Sequence, residues 1–452
     1  MADTSGAGAY RDVERQLLAR WPESRLDPTL ERIAAVCDLL GQPQHAYPVV
    51  HLTGTNGKTT TARMVEELLR GLGLRTGRYT SPHVTSMTER IAVDGSALSA
   101  ERFVEVYDEV KPYAEIVDRS GPHPLSFFEM LTAMSFAAFA DAPVDAAVIE
   151  VGMGGAWDAT NVADADVAVV TPIAVDHASY LGDTPGDIAV EKAGIIKPGT
   201  FLVLAQQTPE AAEVLLSRAA DTGATVAREG LEFGVIERTP GVGGQLVALQ
   251  GLGARYDDIF LPLHGAHQAQ NAACAVAAVE AFAGGKGLDG GLDAELVRQC
   301  FASVTSPGRL EVLRRSPTVL IDSAHNPHGA VATALAIEEA FSFSPLVGVL
   351  AVMADKDVEG LLDAFEPVMS SVVCTQNSTP RSMPAETLAG VARDIFGPDR
   401  VAVEARLDDA IELAIGRAET DGTDTRGVAG AGVLVTGSVV TAGEARTLLG
   451  TR

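Results

Sequence analysis

Short apolar runs alternate with segments of helical period along most of the chain, which predicts an α/β fold with a largely parallel sheet. Pro48 to Leu52, Ala146 to Val151 and Val167 to Ile173 read as buried strands. After the first of them, Val65, Leu68, Leu69 and Leu72 fall at helical spacing, with Gly71 and Gly73 closing the helix. Phe127, Met130, Leu131 and Met134 mark a helix that is apolar on nearly every side and so central. Between Arg228 and Pro262 glycines punctuate short runs such as Gln245 to Leu249, the texture of a small antiparallel annex. A helix from about Gln268 to Phe282 and a glycine-rich loop from Gly284 to Gly291 follow. The alternation restarts near Ser306-Pro307-Gly308. Strands are expected at Thr318 to Ile321, Leu346 to Val352, Ser371 to Cys374, Val401 to Val403 and Val433 to Val435, with a helix from about Gly329. Asp421 to Gly432 reads as a polar surface loop. The pattern divides the chain into an N-terminal α/β domain with the annex, residues 1–305, and a smaller Rossmann-like α/β domain, residues 306–452.

Composition narrows the possible partners. The 452 residues are 46% hydrophobic and 21% charged, which suits large cores. A net charge of -26 repels nucleic-acid backbones and anionic lipid, so neither is an expected partner. The same charge repels nucleotides and carboxylates, so a site for them must be locally positive. The four cysteines, Cys37, Cys274, Cys300 and Cys374, form no close pair, which fits a reducing compartment. The first ten residues lack the basic-then-apolar pattern of a secretory signal, and no apolar run approaches the ~20 residues of a membrane span. The triplet Asn377-Ser378-Thr379 reads as chance in such a chain.

The candidate chemistry starts at Gly54-Thr55-Asn56-Gly57-Lys58-Thr59-Thr60, set between a strand and a helix. Backbone N–H groups and a helix N-terminus there suit phosphate oxygens; Lys58 suits terminal phosphates, and Thr59 or Thr60 offers a hydroxyl to Mg²⁺. The strict phosphate-loop spacing requires glycine at Leu52, so the loop is a variant form. An ordinary glycine turn is the plainer alternative, disfavoured because strand, two glycines, Lys-Thr and helix coincide. Glu150 ends an apolar strand, as Mg²⁺ ligands of nucleotide enzymes often do. The Gly152-Met153-Gly154-Gly155 run after it fails the dinucleotide fingerprint at Trp157. His177 and Asp322 also follow strands, and Lys192 lies in an apolar turn where a solvated lysine is the plain alternative. Ligands gather at strand carboxyl ends in open α/β sheets, so Lys58, Glu150, His177 and Asp322 point to one site.

These residues resemble the folylpolyglutamate synthase/dihydrofolate synthase family, a branch of the Mur ligase superfamily. The resemblance rests on the phosphate loop, Ser81-Pro82-His83 with Glu89-Arg90-Ile91, Phe128-Glu129, and Glu150 to Gly155 with Asp158 to Asn161. It continues through Asp176-His177, Glu191 to Ile195, His267 to Asn271, Pro307 to Glu311, Asp322 to Pro327 and Asp355 to Asp357. It implies that Thr59, Ser81, Glu150, His177 and Lys192 serve about two Mg²⁺ ions, with Lys192 carbamylated. It implies ATP contacts from the loop and from Asn271, Arg309 and Asp322. It assigns Ser81, His83, Arg90, Phe128, Asp158 and Ser438 to substrates, Phe128 and Asp158 to the pterin and Ser438 with His325 to the amino acid. Lys58, Lys192, His177, Asp322 and His325 are the implied catalytic set. Two dipeptides depart from the family: Thr59-Thr60 replaces the usual Gly-Ser, and Ala156-Trp157 replaces the usual Arg-Leu.

The implied activity is ATP-dependent addition of L-glutamate to a folate, and also to dihydropteroate, through an acyl phosphate, by a cytoplasmic monomer. A cell-wall precursor ligase shares the loop and the metal chemistry, but Ser81-Pro82-His83 and Phe128-Glu129 favour the folate branch. A phosphate-loop ATPase switch is the alternative from a different class.

Overall fold

The computed structural model describes residues 4–22, 27–285, 290–422 and 430–450. Parts of the two expected loops, residues 286–289 and 423–429, lie outside the described residues. The chain separates into two compact units. The first holds Met1–Glu237, Ala248–Ile259 and Gln270–Val304, and the second Arg238–Val247, Phe260–Ala269 and Thr305–Arg452.

The first unit is built on β1 (Val49–Thr53), β2 (Thr76–Tyr79), β3 (Ile91–Val93), β4 (Ser96–Ala97), β5 (Ala146–Glu150), β6 (Val167–Val170), β7 (Phe201–Leu204) and β8 (Thr225–Arg228). Their order is β4-β3-β2-β5-β1-β6-β7-β8. Only β3 runs against the others, paired antiparallel with β2 on one side and with the edge strand β4 on the other. Every residue of β1, β5 and β6 is buried, as continuous apolar runs should be when helices cover both faces of a parallel sheet. β1 lies between β5 and β6, with Leu52 opposite Glu150 on one side and Thr53 opposite Val170 on the other. The chain leaves β1 towards β2 and later reaches β6 on the far flank. The loops after β1, β5 and β6 therefore open together at a switch point, where such sheets bind ligands.

Local signals place the helices around this sheet. Helix Phe127–Asp141 starts with a capping box: Ser126 Oγ accepts the Glu129 N–H at 3.1 Å and the Glu129 carboxylate accepts the Ser126 N–H at 2.7 Å. Glu129 also takes Arg32 Nε at 3.1 Å. Helix Pro185–Lys192 starts with a second capping box, Thr184 with Asp187, and ends at Lys192. Helix Lys58–Gly71 packs on β2 and β5. Helices Thr4–Leu18, Glu31–Leu39 and Ala100–Ser120, and the β3–β4 hairpin, were not expected from the sequence pattern.

β9 (Gly234–Gly241), β10 (Gly244–Gln250) and β11 (Arg255–Leu261) form a separate sheet in the order β11-β10-β9. Val242-Gly243 links the first pair and residues 251–254 the second. Connections this short join antiparallel neighbours, so this is the small annex expected near residue 228. The residues of this sheet are divided between the two units.

The second unit has β12 (Glu311–Arg315), β13 (Thr318–Ile321), β14 (Phe343–Leu350), β15 (Ser371–Cys374), β16 (Val401–Val403) and β17 (Gly430–Thr436) in the order β12-β13-β17-β14-β15-β16. β12 is antiparallel to β13, and the other pairs are parallel. Helices Pro327–Ala340, Val358–Phe365 and Ala385–Phe396 bury one face of this sheet and Leu407–Gly422 the other. Asn377 is 4% exposed and its amide donates to Ser438 Oγ and Thr441 Oγ1, so the asparagine of the glycosylation triplet is turned inward although Ser378 is exposed. The four cysteines are free and buried. Among the described residues no helix is long and apolar enough to cross a membrane.

Candidate active site

The loop after β1 turns through Gly54 at φ 140° and Gly57 at φ 89°, both in the region that side chains resist. A Cβ on Gly57 would stand 2.5 Å from Asn271 Oδ1, so glycine lets Asn271 approach the loop. Thr55 Oγ1 donates to the Ala174 carbonyl at 2.9 Å and accepts the Ala174 N–H at 3.0 Å, tying the loop to the segment after β6. Lys58 opens the helix, and its ammonium donates to the carbonyls of Gly54 at 3.1 Å and Thr55 at 3.2 Å. The lysine thus curls over the cradle that its own loop makes. Asn56 is part of the same turn.

The two threonines separate at this point. The Thr59 hydroxyl lies 2.9 Å from both oxygens of Glu150. Thr60 is 2% exposed. Glu150 also accepts the Ser81 N–H at 3.2 Å. Strand ends β1, β2 and β5 therefore deliver Thr59, Ser81 and Glu150 to one place.

Lys192 is not a solvated lysine. It is 4% exposed and donates to the Gly54 carbonyl at 2.8 Å, from 138 residues away. Burial and the nearby Lys58 pull its pKa down to about 7, against the opposing pull of Asp176 and Asp158. Its turn packs directly on the Gly152-to-Trp157 loop. A Cβ on Gly155 would stand 2.7 Å from the Glu191 carbonyl, and Asn161 Nδ2 bridges the carbonyls of Ala156 at 3.1 Å and Gly194 at 3.2 Å. His177 sits at φ 54°, its ring partly exposed and its Nε2 4.0 Å from Asp176 Oδ1.

Four expected substrate residues cluster beside this group. Arg90 Nε donates to His83 Nδ1 at 3.0 Å and the guanidinium stacks over the Phe127 ring at 4.9 Å. Burial and Arg90 push the His83 pKa down to about 4, so its ring is a neutral acceptor. The Phe128 ring lies 5.8 Å from Tyr79 and closes over Gly152, where a Cβ would meet it at 2.6 Å. Asp158 is 3% exposed and accepts the N–H groups of Met153 and Thr160, each at 3.0 Å. Burial raises its pKa, and the hydrogen bonds oppose that shift. Its carboxylate shapes the Gly152 loop and turns inward.

In the second unit, the Asp322 carboxylate accepts the N–H groups of Leu310 at 3.0 Å and Ala324 at 2.8 Å and the Thr333 hydroxyl at 3.0 Å. It holds Leu310 at φ 42°, a strained position for a branched side chain, next to Arg309. Burial raises the Asp322 pKa and Arg309 opposes it. His325 Nδ1 is 3.0 Å from the Ser323 carbonyl. Gly437 N–H donates to Ala324 at 3.2 Å, which brings Ser438 beside this loop. The Ser438 hydroxyl caps helix Val439–Leu449 by accepting the Thr441 N–H at 3.0 Å. Both Asp322 and Ser438 are internal groups that fix backbone around the strand ends.

Sequence reasoning gave Asp176 no role beyond its place in a motif, though its charge acts on Lys192, and passed over Arg63, four residues after Thr59 on the same helix face. The helical spacing was the available signal for Arg63.

The donor chemistry bears on a metal. Among the described residues no group of three or more His, Cys, Asp or Glu is placed to hold one. One carboxylate with hydroxyls beside a phosphate cradle still suits Mg²⁺, which keeps waters and takes substrate phosphates as ligands.

The chain matches two family models, the Mur ligase middle domain over residues 52–279 and the Mur ligase glutamate ligase domain over residues 308–439. It is 53% identical to the dihydrofolate synthase/folylpolyglutamate synthase of Mycobacterium tuberculosis, over 97% of this chain and 93% of that one. It is 34% identical to the enzyme of the same name in Escherichia coli, over 80% and 81%. The crystal structure of Mycobacterium tuberculosis folylpolyglutamate synthase complexed with ADP and AMPPCP superposes with a TM-score of 0.94 at 51% identity, covering 99% of each chain. That of E. coli FolC in complex with DHPP and ADP gives 0.84 at 29% identity, covering 99% of each. With strand ends, phosphate loop and buried lysine arranged as described, the chain belongs to the folylpolyglutamate synthase/dihydrofolate synthase family of the Mur ligase superfamily.

Proposed function

We propose that this protein is an ATP-dependent ligase that joins L-glutamate to a folate and to dihydropteroate through an acyl phosphate. The observation that carries the reading is the convergence of Lys58, Thr59, Glu150 and Lys192 on the loop after β1. A cell membrane or nucleic acid plays no part in it.

The substrate carboxylate attacks the γ-phosphate of ATP, giving an acyl phosphate and ADP. The glutamate amine, in its neutral form, then attacks the acyl carbon, loses a proton and expels phosphate. Phosphoryl transfer asks the protein for positioning and for neutralised charge. Lys58 supplies a cation at the cradle, and the loop N–H groups supply fixed dipoles. Thr59, Ser81, Glu150 and His177 are the residues that would hold Mg²⁺, which, when bound, neutralises phosphate charge. Of the two threonines we assign Thr59, because its hydroxyl already meets Glu150. Asn271, Arg309 and Asp322 are assigned to ATP. Asp322 acts by holding the Arg309 segment rather than through its own buried oxygens.

Lys192 is assigned as a carbamate. A neutral amine adds to CO₂ and loses one proton, which turns a cation into an anionic oxygen ligand. A pKa of about 7 makes the neutral amine abundant at neutral pH. Phe128 and Gly152 are assigned to the pterin, with Asp158 shaping that loop. His83 and Arg90 flank the same acid, while His325 and the Ser438 segment serve the incoming glutamate.

Two steady-state assays run side by side test the substrate claim. ADP release should require glutamate with either dihydropteroate or a monoglutamyl reduced folate, and both kcat/KM values should lie within about two orders of magnitude of each other, in the ordinary enzymatic range of roughly 10⁴–10⁸ M⁻¹s⁻¹. Turnover with only one acid would reduce the protein to a single activity.

A further inference from the structure

Arg63 lies four residues after Thr59 on helix Lys58–Gly71, so the two side chains share a face. Thr59 on that face meets Glu150, and the helix packs on β2 and β5, whose ends carry Ser81 and Glu150. The charged groups around Arg63 are Arg78, Glu66, Glu89 and Glu150. Each acid among them is committed elsewhere. Glu66 is paired with Arg78 at 2.6 Å, both about 4–5% exposed. Glu89 accepts the N–H groups of Val84 and Ser86, each at 2.9 Å. Glu150 holds the Thr59 hydroxyl and the Ser81 N–H. Among the described residues no acid stands within ion-pair distance of Arg63.

A largely buried cation without a counter-ion costs stability. In a chain with 60 acids and 34 Lys plus Arg, pairing it would have been easy. Burial, with Arg78, pulls the guanidinium down to about 10, so it keeps its charge at neutral pH. The position is one helical turn beyond Thr59, away from the phosphate cradle and beside the Ser81-to-Glu89 segment. An anion held there would stand one helical turn from Thr59 and the Glu150 group rather than at the phosphate cradle.

Resting on the ligase reading above, the two acid substrates differ in this respect. Dihydropteroate carries one carboxylate, and that one reacts. A folate ends in glutamate and carries a second, idle carboxylate that also has to leave water. We propose that Arg63 binds the non-reacting carboxylate of the folate's terminal glutamate and so sets the enzyme's preference for folates over dihydropteroate. The planar fork of arginine matches a carboxylate in two parallel hydrogen bonds.

The test compares the parent with Arg63→Met and Arg63→Lys on both acids. In Arg63→Met the ratio of kcat/KM for a monoglutamyl reduced folate to that for dihydropteroate should fall by roughly ten- to hundredfold, the worth of a charge-assisted contact, and the fall should lie in KM. Arg63→Lys should restore part of the ratio, as a point charge without the fork. Equilibrium binding of the folate in the absence of ATP should weaken in parallel. An unchanged ratio, or an equal loss on both acids, overturns the proposal, because Arg63 would then serve the shared chemistry or none. If Arg63→Met does not fold, the ratio in Arg63→Lys decides by the same criterion. A parent inactive on both acids overturns the ligase reading and this inference with it, whereas an active parent with an unchanged ratio overturns Arg63 alone.

Discussion

Replacing Lys58 with alanine should lower ADP formation by about a thousandfold or more, while the fold stays intact. The ammonium rests on the carbonyls of Gly54 and Thr55 in its own loop, whose turn is set by the glycines at Gly54 and Gly57. Its worth lies in the charge it brings to transferring phosphate, and placed electrostatic groups of this kind contribute roughly 10²–10³-fold or more each. The remaining cradle of N–H groups should still bind nucleotide, with weaker affinity. Single-turnover ADP formation together with circular dichroism checks this. Near-normal turnover in a folded variant would remove the loop from the ATP site.

Lys192→Ala should lose turnover by about a hundred- to a thousandfold, and short carboxylic acids such as acetate should restore a measurable part of it. The space left by the side chain adjoins the Gly54 carbonyl, and the charges of Lys58, Asp176 and Asp158 act on it, so an added carboxylate would stand in for the carbamate oxygens. The parent should also respond to CO₂ with a defined sign. Lys192 has a lowered pKa, so its reactive neutral form grows as pH rises through about 7 and vanishes below it. CO₂-depleted enzyme should therefore regain activity on adding bicarbonate at pH 8 and regain far less at pH 6. Full activity in Lys192→Ala, with no response to acetate, would remove the carbamate.

What the sequence made legible follows from how local each signal is. The phosphate loop was readable because glycine, lysine and threonine stand together between an apolar strand and a helix. Glu150 was readable as the acid closing a strand. The surroundings of Lys192 were not, because its bond to Gly54 spans 138 residues and its neighbours looked like an apolar turn. Glu129 stood out as part of a motif, yet its carboxylate caps a helix and pairs with Arg32. Asp158, Asp322 and Ser438 were read as ligand contacts. The structure shows that each is buried and accepts backbone N–H groups, contacts that no spacing rule reveals. Helix Ala100–Ser120 escaped notice because Pro112 lies within it. The N-terminal helix was masked by a small, polar start, although Val13 and Leu17 bury one face at i,i+4 spacing.

The parallel sheet needed no such long-range knowledge. β1, β5 and β6 are mostly apolar runs, which is enough to mark them as buried strands, although His51, Thr53 and Glu150 are buried with them. The β3–β4 hairpin did need it, being two and three residues long per strand at the sheet edge.

The central claim is that ATP is spent on activating a carboxylate for an amine. It is tested most directly by phosphate release from ATP with each substrate omitted in turn. With a folate or dihydropteroate and glutamate both present, phosphate should appear in proportion to the amide product, one for one. Omitting the acid should abolish it, and omitting glutamate should leave no more than slow leakage from the acyl phosphate. Steady phosphate release with neither present would contradict the account and identify an ATPase instead.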